Sequence, residues 1–163
     1  MKFKLSCCVL VAGMTAVSLS AFAALGENVQ AVTSDAKTIR AVSLVSRSAP
    51  YTSSSSTYTK HEMSLAGGGS VVEYTNANDI VFALSWQSPL GAPNLSLLLG
   101  NYIDAFGRAQ AQSRTGKWRS LHHLNATEGD WSVVSEIRNH AFNGFSYLRS
   151  QLPAGFNLQL LSQ

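Results

Sequence analysis

Hydrophobic residues between Ser70 and Phe106 change their spacing from that of strands to that of a helix, and the change locates the core. In Ser70-Val71-Val72-Glu73-Tyr74 and in Ile80-Val81-Phe82-Ala83-Leu84-Ser85-Trp86 the apolar positions suit strands, in which successive side chains point to opposite faces. Asn76-Ala77-Asn78-Asp79 supplies a turn between the two runs. Beyond the break Ser88-Pro89-Leu90-Gly91-Ala92-Pro93, the residues Leu95, Leu98, Leu99, Tyr102 and Phe106 recur three or four apart, which is the helical period. Two strands and a helix able to fold back over them form the expected nucleus.

The pairing of those strands follows from keeping one face apolar. Thr75 opposite Val81 sets Tyr74 against Phe82 and Val72 against Leu84, so the inner face carries Val72, Tyr74, Phe82, Leu84 and Trp86. A slip of one residue would set Glu73 against Phe82 and split that face, which a half-buried sheet resists. Asn94 is a good N-cap for the covering helix. Gly100 and Gly107 inside it each cost about 1 kcal/mol relative to alanine, so close contact with the sheet is expected there.

The flanking segments extend this pattern. Val29, Val32, Ala36 and Ile39 have helical spacing, and Ser34-Asp35 can start a helix, giving a short amphipathic helix near residues 34–42. Residues 47–57, with Ser48, Pro50 and Ser53-Ser54-Ser55-Ser56, read as a mobile loop. In residues 58–65, His61, Met63 and Leu65 alternate with Lys60, Glu62 and Ser64, an antiparallel strand with one wet face. Gly67-Gly68-Gly69 turns into the strand at Ser70, and because a strand follows, it is no phosphate loop. After a mobile stretch at 110–116, a second hairpin is expected from Lys117–Thr127 and Trp131–His140, linked by Glu128-Gly129-Asp130. Pro153 and Gly155 mark a later turn, and Phe156, Leu158 and Leu160 alternate as a closing edge strand. The fold class is α+β: an antiparallel sheet of about five to six strands, with one main amphipathic helix on one face. Residues 24–57 form a short helix and Ser-rich loop, and residues 58–163 form one α+β domain.

The N-terminus alters the composition. Lys2 and Lys4 precede an apolar run from Leu5 to Leu19, and Ala21-Phe22-Ala23 offers small residues at the two positions a signal peptidase reads. This is the pattern of an export signal over residues 1–23, cleaved after Ala23. Ser6, Thr15, Ser18 and Ser20 dilute the run, so a retained membrane helix fits less well. Cleavage removes Cys7 and Cys8, the only cysteines, and with them any disulfide or thiolate chemistry. It also lowers the net charge from +3 to +1, which gives no basis for a nucleic-acid partner. About 140 residues remain, enough for one domain that buries roughly two-thirds of its unfolded surface. The expected location is a bacterial periplasm or the medium, with no membrane span once the signal is gone.

At these residues the chain resembles the short exported bacterial proteins grouped as domain of unknown function 2844. The similar features are Ala24-Leu25-Gly26, Tyr58-Thr59 with His61-Glu62, Val72-Glu73-Tyr74, Val81-Phe82 with Trp86 and Pro89, and Pro93-Asn94-Leu95. Leu98-Leu99-Gly100-Asn101-Tyr102, Ala141-Phe142-Asn143-Gly144 with Tyr147-Leu148, and Leu152-Pro153-Ala154-Gly155 complete the series. Their order covers nearly all of the chain after the signal. Ser88 stands in place of glycine, Asn94 in place of aspartate, and Ile137-Arg138-Asn139-His140 replaces a run containing glycine and histidine. The resemblance implies an exported single domain and supplies no activity.

Candidate chemistry is sparse. His122-His123 invites a metal, but neighbours on a strand point to opposite faces, and no His-Glu-x-x-His spacing accompanies them. No cofactor fingerprint is present, so neither a metal nor a cofactor is expected. There is no Gly-x-Ser-x-Gly elbow and, after cleavage, no cysteine nucleophile. Glu128 and Asp130 flank a turn glycine, and Trp86, Trp118 and Trp131 fit a core as well as a stacking platform. Asn94-Leu95-Ser96 and Asn125-Ala126-Thr127 match a glycosylation sequon without meaning in a bacterial protein. One face stands out if Thr127 opposes Trp131: Trp118 then pairs with His140, Ser120 with Arg138, and His122 with Glu136. That face, with Trp118, His122, Glu136, Arg138 and His140, is the candidate binding surface. The expected role is a non-enzymatic envelope-associated binding or assembly protein whose partner is an envelope or extracellular protein or a small ligand. The alternative is a small periplasmic hydrolase using a His–carboxylate pair.

Overall fold

The computed structural model of the protein describes residues 25–50, 57–115 and 122–163. Helix α1 (Val29–Thr38) starts at Asn28, whose side chain accepts from the Gln30 amide. Four strands follow the first helix or its successors in a meander: β1 (Ala41–Pro50), β2 (Thr57–Leu65), β3 (Ser70–Thr75) and β4 (Val81–Ser88). Helices α2 (Leu95–Leu99) and α3 (Ile103–Thr115) come next, joined by a 3-10 turn at Gly100–Tyr102. A second meander closes the chain: β5 (His123–Glu128), β6 (Trp131–Arg138) and β7 (Ala141–Leu148). The strands form one antiparallel sheet in the order β1-β2-β3-β4-β7-β6-β5.

This order explains the placement of the helices. The chain leaves the sheet at its central strand β4 and re-enters at the far edge as β5. The two helices form that crossing, over one face of the sheet. Leu98, Leu99, Ala105 and Phe106 are buried there with Met63, Val71, Leu84, Trp86, Trp131 and Val133. The Tyr102 ring stacks on Trp131 at 6.0 Å and 8°. α1 joins the same face through Ala36, while its Val32 packs on Val81.

The second face is covered as well. Val72, Tyr74, Phe82 and Ala83 are buried under Leu161, with Leu152 and Phe156 against them. The segment after β7 therefore forms a cap, with 3-10 turns at Arg149–Gln151 and Leu158–Ser162, where a closing edge strand was expected. β4 is consequently buried on both sides, all but Gln87.

A bulge decides which residue faces which layer. Thr75 does oppose Val81, but Tyr74 then pairs with Ala83, leaving Phe82 as the extra residue. Beyond it Glu73 meets Leu84 and Val71 meets Trp86. The single inner face of Val72, Tyr74, Phe82, Leu84 and Trp86 is thus divided: Val72, Tyr74 and Phe82 lie under the cap, Leu84 and Trp86 under the helices.

Other boundaries also differ from the sequence reading. The first helix spans Val29–Thr38 and not 34–42, and Ala41–Pro50 extends as β1, including positions read as loop. The serine run at 53–56 lies outside the described residues. α3 continues through Gln110 to Thr115, so that stretch is helical and not a mobile loop. Gly100 adopts φ 50° at the junction between α2 and α3, a conformation that favours glycine. A side chain at Gly107 would meet open space, so close contact with the sheet does not explain that glycine. The strand total is seven.

Candidate functional site

Two places collect polar groups beyond what strand and helix formation require. The first is buried beneath α1. His61 of β2 has Nδ1 2.8 Å from Ser46 Oγ and Nε2 3.0 Å from Thr75 Oγ1. Glu73 of β3 is its cross-strand neighbour and is fully buried. Neither carboxyl oxygen of Glu73 finds a hydrogen-bond partner among the described residues. Burial, then the Asp35 carboxylate of α1, pushes the Glu73 pKa well above the usual range. Burial lowers the His61 pKa, partly offset by Asp79. Desolvation therefore favours a neutral acid and a neutral imidazole side by side. Both ring nitrogens are engaged by hydroxyls and His61 is only 4% exposed, so this cluster is sealed from a substrate.

The second place is open. On the cap face, next to the last 3-10 turn, a groove of about 330 Å³ lies over β3, β4, β7 and β6. The register builds it row by row. Ser70 opposes Gln87, Gln87 opposes Asn143, and Asn143 opposes Glu136. Directly paired residues share a face, so these four make a continuous polar row, which His123 extends at the β5 edge. The adjacent row is Val72, Ser85, Phe145 and Val134. It is mostly apolar, and its Val72 and Ser85 are buried. Leu161, Ser162 and Gln163 form the wall.

The charges at the groove offset each other. Arg138 and Glu136 lie two residues apart on β6, which puts them on one face, and Arg138 Nη2 is 2.8 Å from Glu136 Oε1. Arg138 is 74% exposed, and a solvated pair of this kind is worth at most about 1 kcal/mol. Within the described residues the Asn143 side chain makes no hydrogen bond, its Oδ1 being buried and unpartnered.

Of the five residues singled out from sequence, the fold brings Glu136 and Arg138 together at this groove. His122 lies elsewhere, in a shallow cleft against α3 that Phe106 and Gln110 also line. His140 occupies the tight β6–β7 turn with Asn139, at φ 65° and 50°, the conformation of a two-residue type I′ hairpin. Trp118 lies outside the described residues. The pairing of the second hairpin is one residue from expectation: Glu128 faces Trp131 and His123, not His122, faces Glu136. The loop is Gly129-Asp130, and Asp130 is committed to holding Ser150 through its amide and hydroxyl, both at 2.7 Å. Glu128 is paired with Arg108.

Gln87, Asn143 and Phe145 are not among the candidate site residues that the sequence offers. The available signal was alternation, since Asn143, Phe145 and Tyr147 fall on one side of β7 and Gln87 is the one exposed residue of β4. Only the joining of β4 to β7 shows that they meet. Among the described residues no group of three or more His, Cys, Asp or Glu is placed to hold a metal ion. No described helix is long and apolar enough to cross a membrane.

No curated protein and no solved structure matches this chain. The sequence profile described as a protein of unknown function, DUF2844, matches residues 21–161. With the match running through every described strand and helix, the chain belongs to the DUF2844 family.

Proposed function

We propose that the protein is exported to the periplasm or the medium and serves there as a non-enzymatic, envelope-associated binding or assembly module, with the groove over β4 and β7 as its binding site. The observation that carries this reading is the groove's polar row. Asn143 Oδ1 has no hydrogen-bond partner among the described residues, and the Glu136–Arg138 pair adds little to stability. Concave sites with a few convergent polar groups over an apolar floor are the usual form of a small-ligand pocket. Export is supported by Lys2 and Lys4, the apolar run from Leu5 to Leu19, and Ala21-Phe22-Ala23. The hydrolase reading gains nothing from His61 and Glu73, because a general base must reach the proton it removes and His61 is enclosed.

Two measurements test the proposal. N-terminal sequencing of protein recovered from the periplasm or medium should begin at Ala24, and an intact Met1 would refute export. The exposed position Gln87 allows Gln87→Trp to fill the groove without disturbing the core. This variant, and the double change Glu136→Ala with Arg138→Ala, should melt like wild type yet retain less from envelope extract. Variants that keep every retained component would remove the groove from consideration.

A further inference from the structure

Accepting the groove as the binding site, we propose that its ligand is a neutral, polyhydroxylated small molecule of one or two sugar rings. Size sets the first limit. About 330 Å³ is at the lower end of small-molecule pockets, roughly 300–1,000 Å³, too little for a folded partner. Charge sets the second. Glu136 and Arg138 are the charged side chains lining the groove, and they neutralise one another at 2.8 Å. The charged side chains of the groove therefore offer no excess of either sign to attract an anion or a cation.

Hydrogen-bonding chemistry sets the third limit. The row offers two carboxamides, Gln87 and Asn143, beside the Ser70 hydroxyl. Each amide carries two donors and one acceptor, and a hydroxyl both donates and accepts. A ligand that matches this set must also present donors and acceptors side by side, as vicinal hydroxyls do. The planar ends of Gln87, Glu136 and Arg138 can each span two neighbouring hydroxyls, while Asn143, whose Oδ1 is buried, is left to donate. In the parallel row Phe145 and Val134, neither of them fully buried, add an apolar strip with one aromatic ring, against which the C–H face of a sugar ring packs. A purely apolar ligand would strand the amides, at a cost of about 1–3 kcal/mol for each group left unpaired.

The test is a titration of the isotopically labelled protein, produced from the full 163-residue chain, with D-glucose, D-galactose, N-acetylglucosamine and maltose. Glucuronate and choline serve as charged comparators. Saturable shifts at the backbone amides of Gln87, Asn143, Phe145 and Glu136 are expected with at least one neutral sugar, with Kd below about 1 mM. Gln87→Leu with Asn143→Leu should weaken that binding at least tenfold. A thermal melt confirms that the variant is folded; should it not be, the exposed Gln87→Ala alone replaces it, with at least a threefold loss expected. Binding of glucuronate or choline alone would overturn the assignment of a neutral ligand. Silence with all the sugars overturns it too. If Gln87→Trp still abolishes retention from envelope extract in that case, the groove stands and only the ligand class is wrong. If retention is also unaffected, both readings fall.

Discussion

The indole of Trp86 on β4 lies against Gly144, its direct partner on β7, so closely that the space for a side chain at position 144 is already filled. A Cβ there would also come within 2.6 Å of the Val134 carbonyl oxygen on β6. Glycine inside a strand weakens it, and its presence marks a close approach of this kind. The contact joins the two meanders at the centre of the sheet. Gly144→Ala should therefore cost about 1–3 kcal/mol, as overpacking does. Urea melts measure it, and an unchanged midpoint would contradict the packing of Trp86.

Leu98 of α2 has no exposed surface and belongs to the cluster of Leu84, Trp86 and Trp131. Leu98→Ala should lose about 2–5 kcal/mol, a large share of a typical total of about 5–15 kcal/mol. A loss below about 1 kcal/mol would place Leu98 outside a tight core.

Phe156 anchors the cap on the opposite face. Its ring meets Phe82 at 4.9 Å, Tyr58 at 5.5 Å and Tyr74 at 5.7 Å, each near edge-to-face. The ring is partly exposed, so Phe156→Ala should cost about 2–3 kcal/mol, below the range for a fully buried phenylalanine. Leu98 and Phe156 lie on different faces of the sheet and in different clusters. Their losses should add to within about 0.5 kcal/mol in the double variant. Strong coupling would show that the faces do not pack independently.

Glu73 predicts how stability changes with pH. Its folded pKa is raised by burial and by Asp35, so the folded state holds this proton more tightly than the unfolded chain does. That contribution is complete below the unfolded value of about 4.3. It declines as pH rises from there toward the raised folded value, by up to about 1.4 kcal/mol per pH unit. His61 has the opposite sign. Its lowered pKa supports the fold above its unfolded value of about 6.5 and less as pH falls below it. Melts from pH 4 to 9 should show the Glu73 slope, and Glu73→Gln should flatten it. An unaltered profile in the variant would mean that Glu73 does not titrate in a buried site.

Periodicity made part of this fold legible. Leu95, Leu98, Leu99, Tyr102 and Phe106 repeat with the helix. In β2 His61 and Met63 are buried on either side of an exposed Glu62, as alternation predicts, although Tyr58, on the side expected to be wet, packs into the cap cluster. β1 was not readable in the same way. A bulge between Ala41 and Ser43 breaks its alternation, and its Val42 and Val45 are exposed. β4 is apolar on both sides, so its sequence cannot show which residues belong to which face. Glu136 and Arg138 could be placed on one face from their spacing alone, since residues two apart on a strand always share a face.

What the sequence determined by itself were the local matters: strand and helix periods, the turn at Gly67-Gly68-Gly69, the Asn94 cap, and the charge and cysteine content on either side of Ala23. Those depend on residues a few positions apart. The tertiary structure alone decided that Phe82 and Leu84 face opposite layers, that the last residues cap the second face, and that Gln87 meets Asn143. The reason is physical. A one-residue bulge reverses every side chain beyond it at small local cost, and β4 reaches β7 only after the helices and two further strands have been placed. Such pairings are fixed by the total burial of both faces, a quantity that no single stretch of the chain contains.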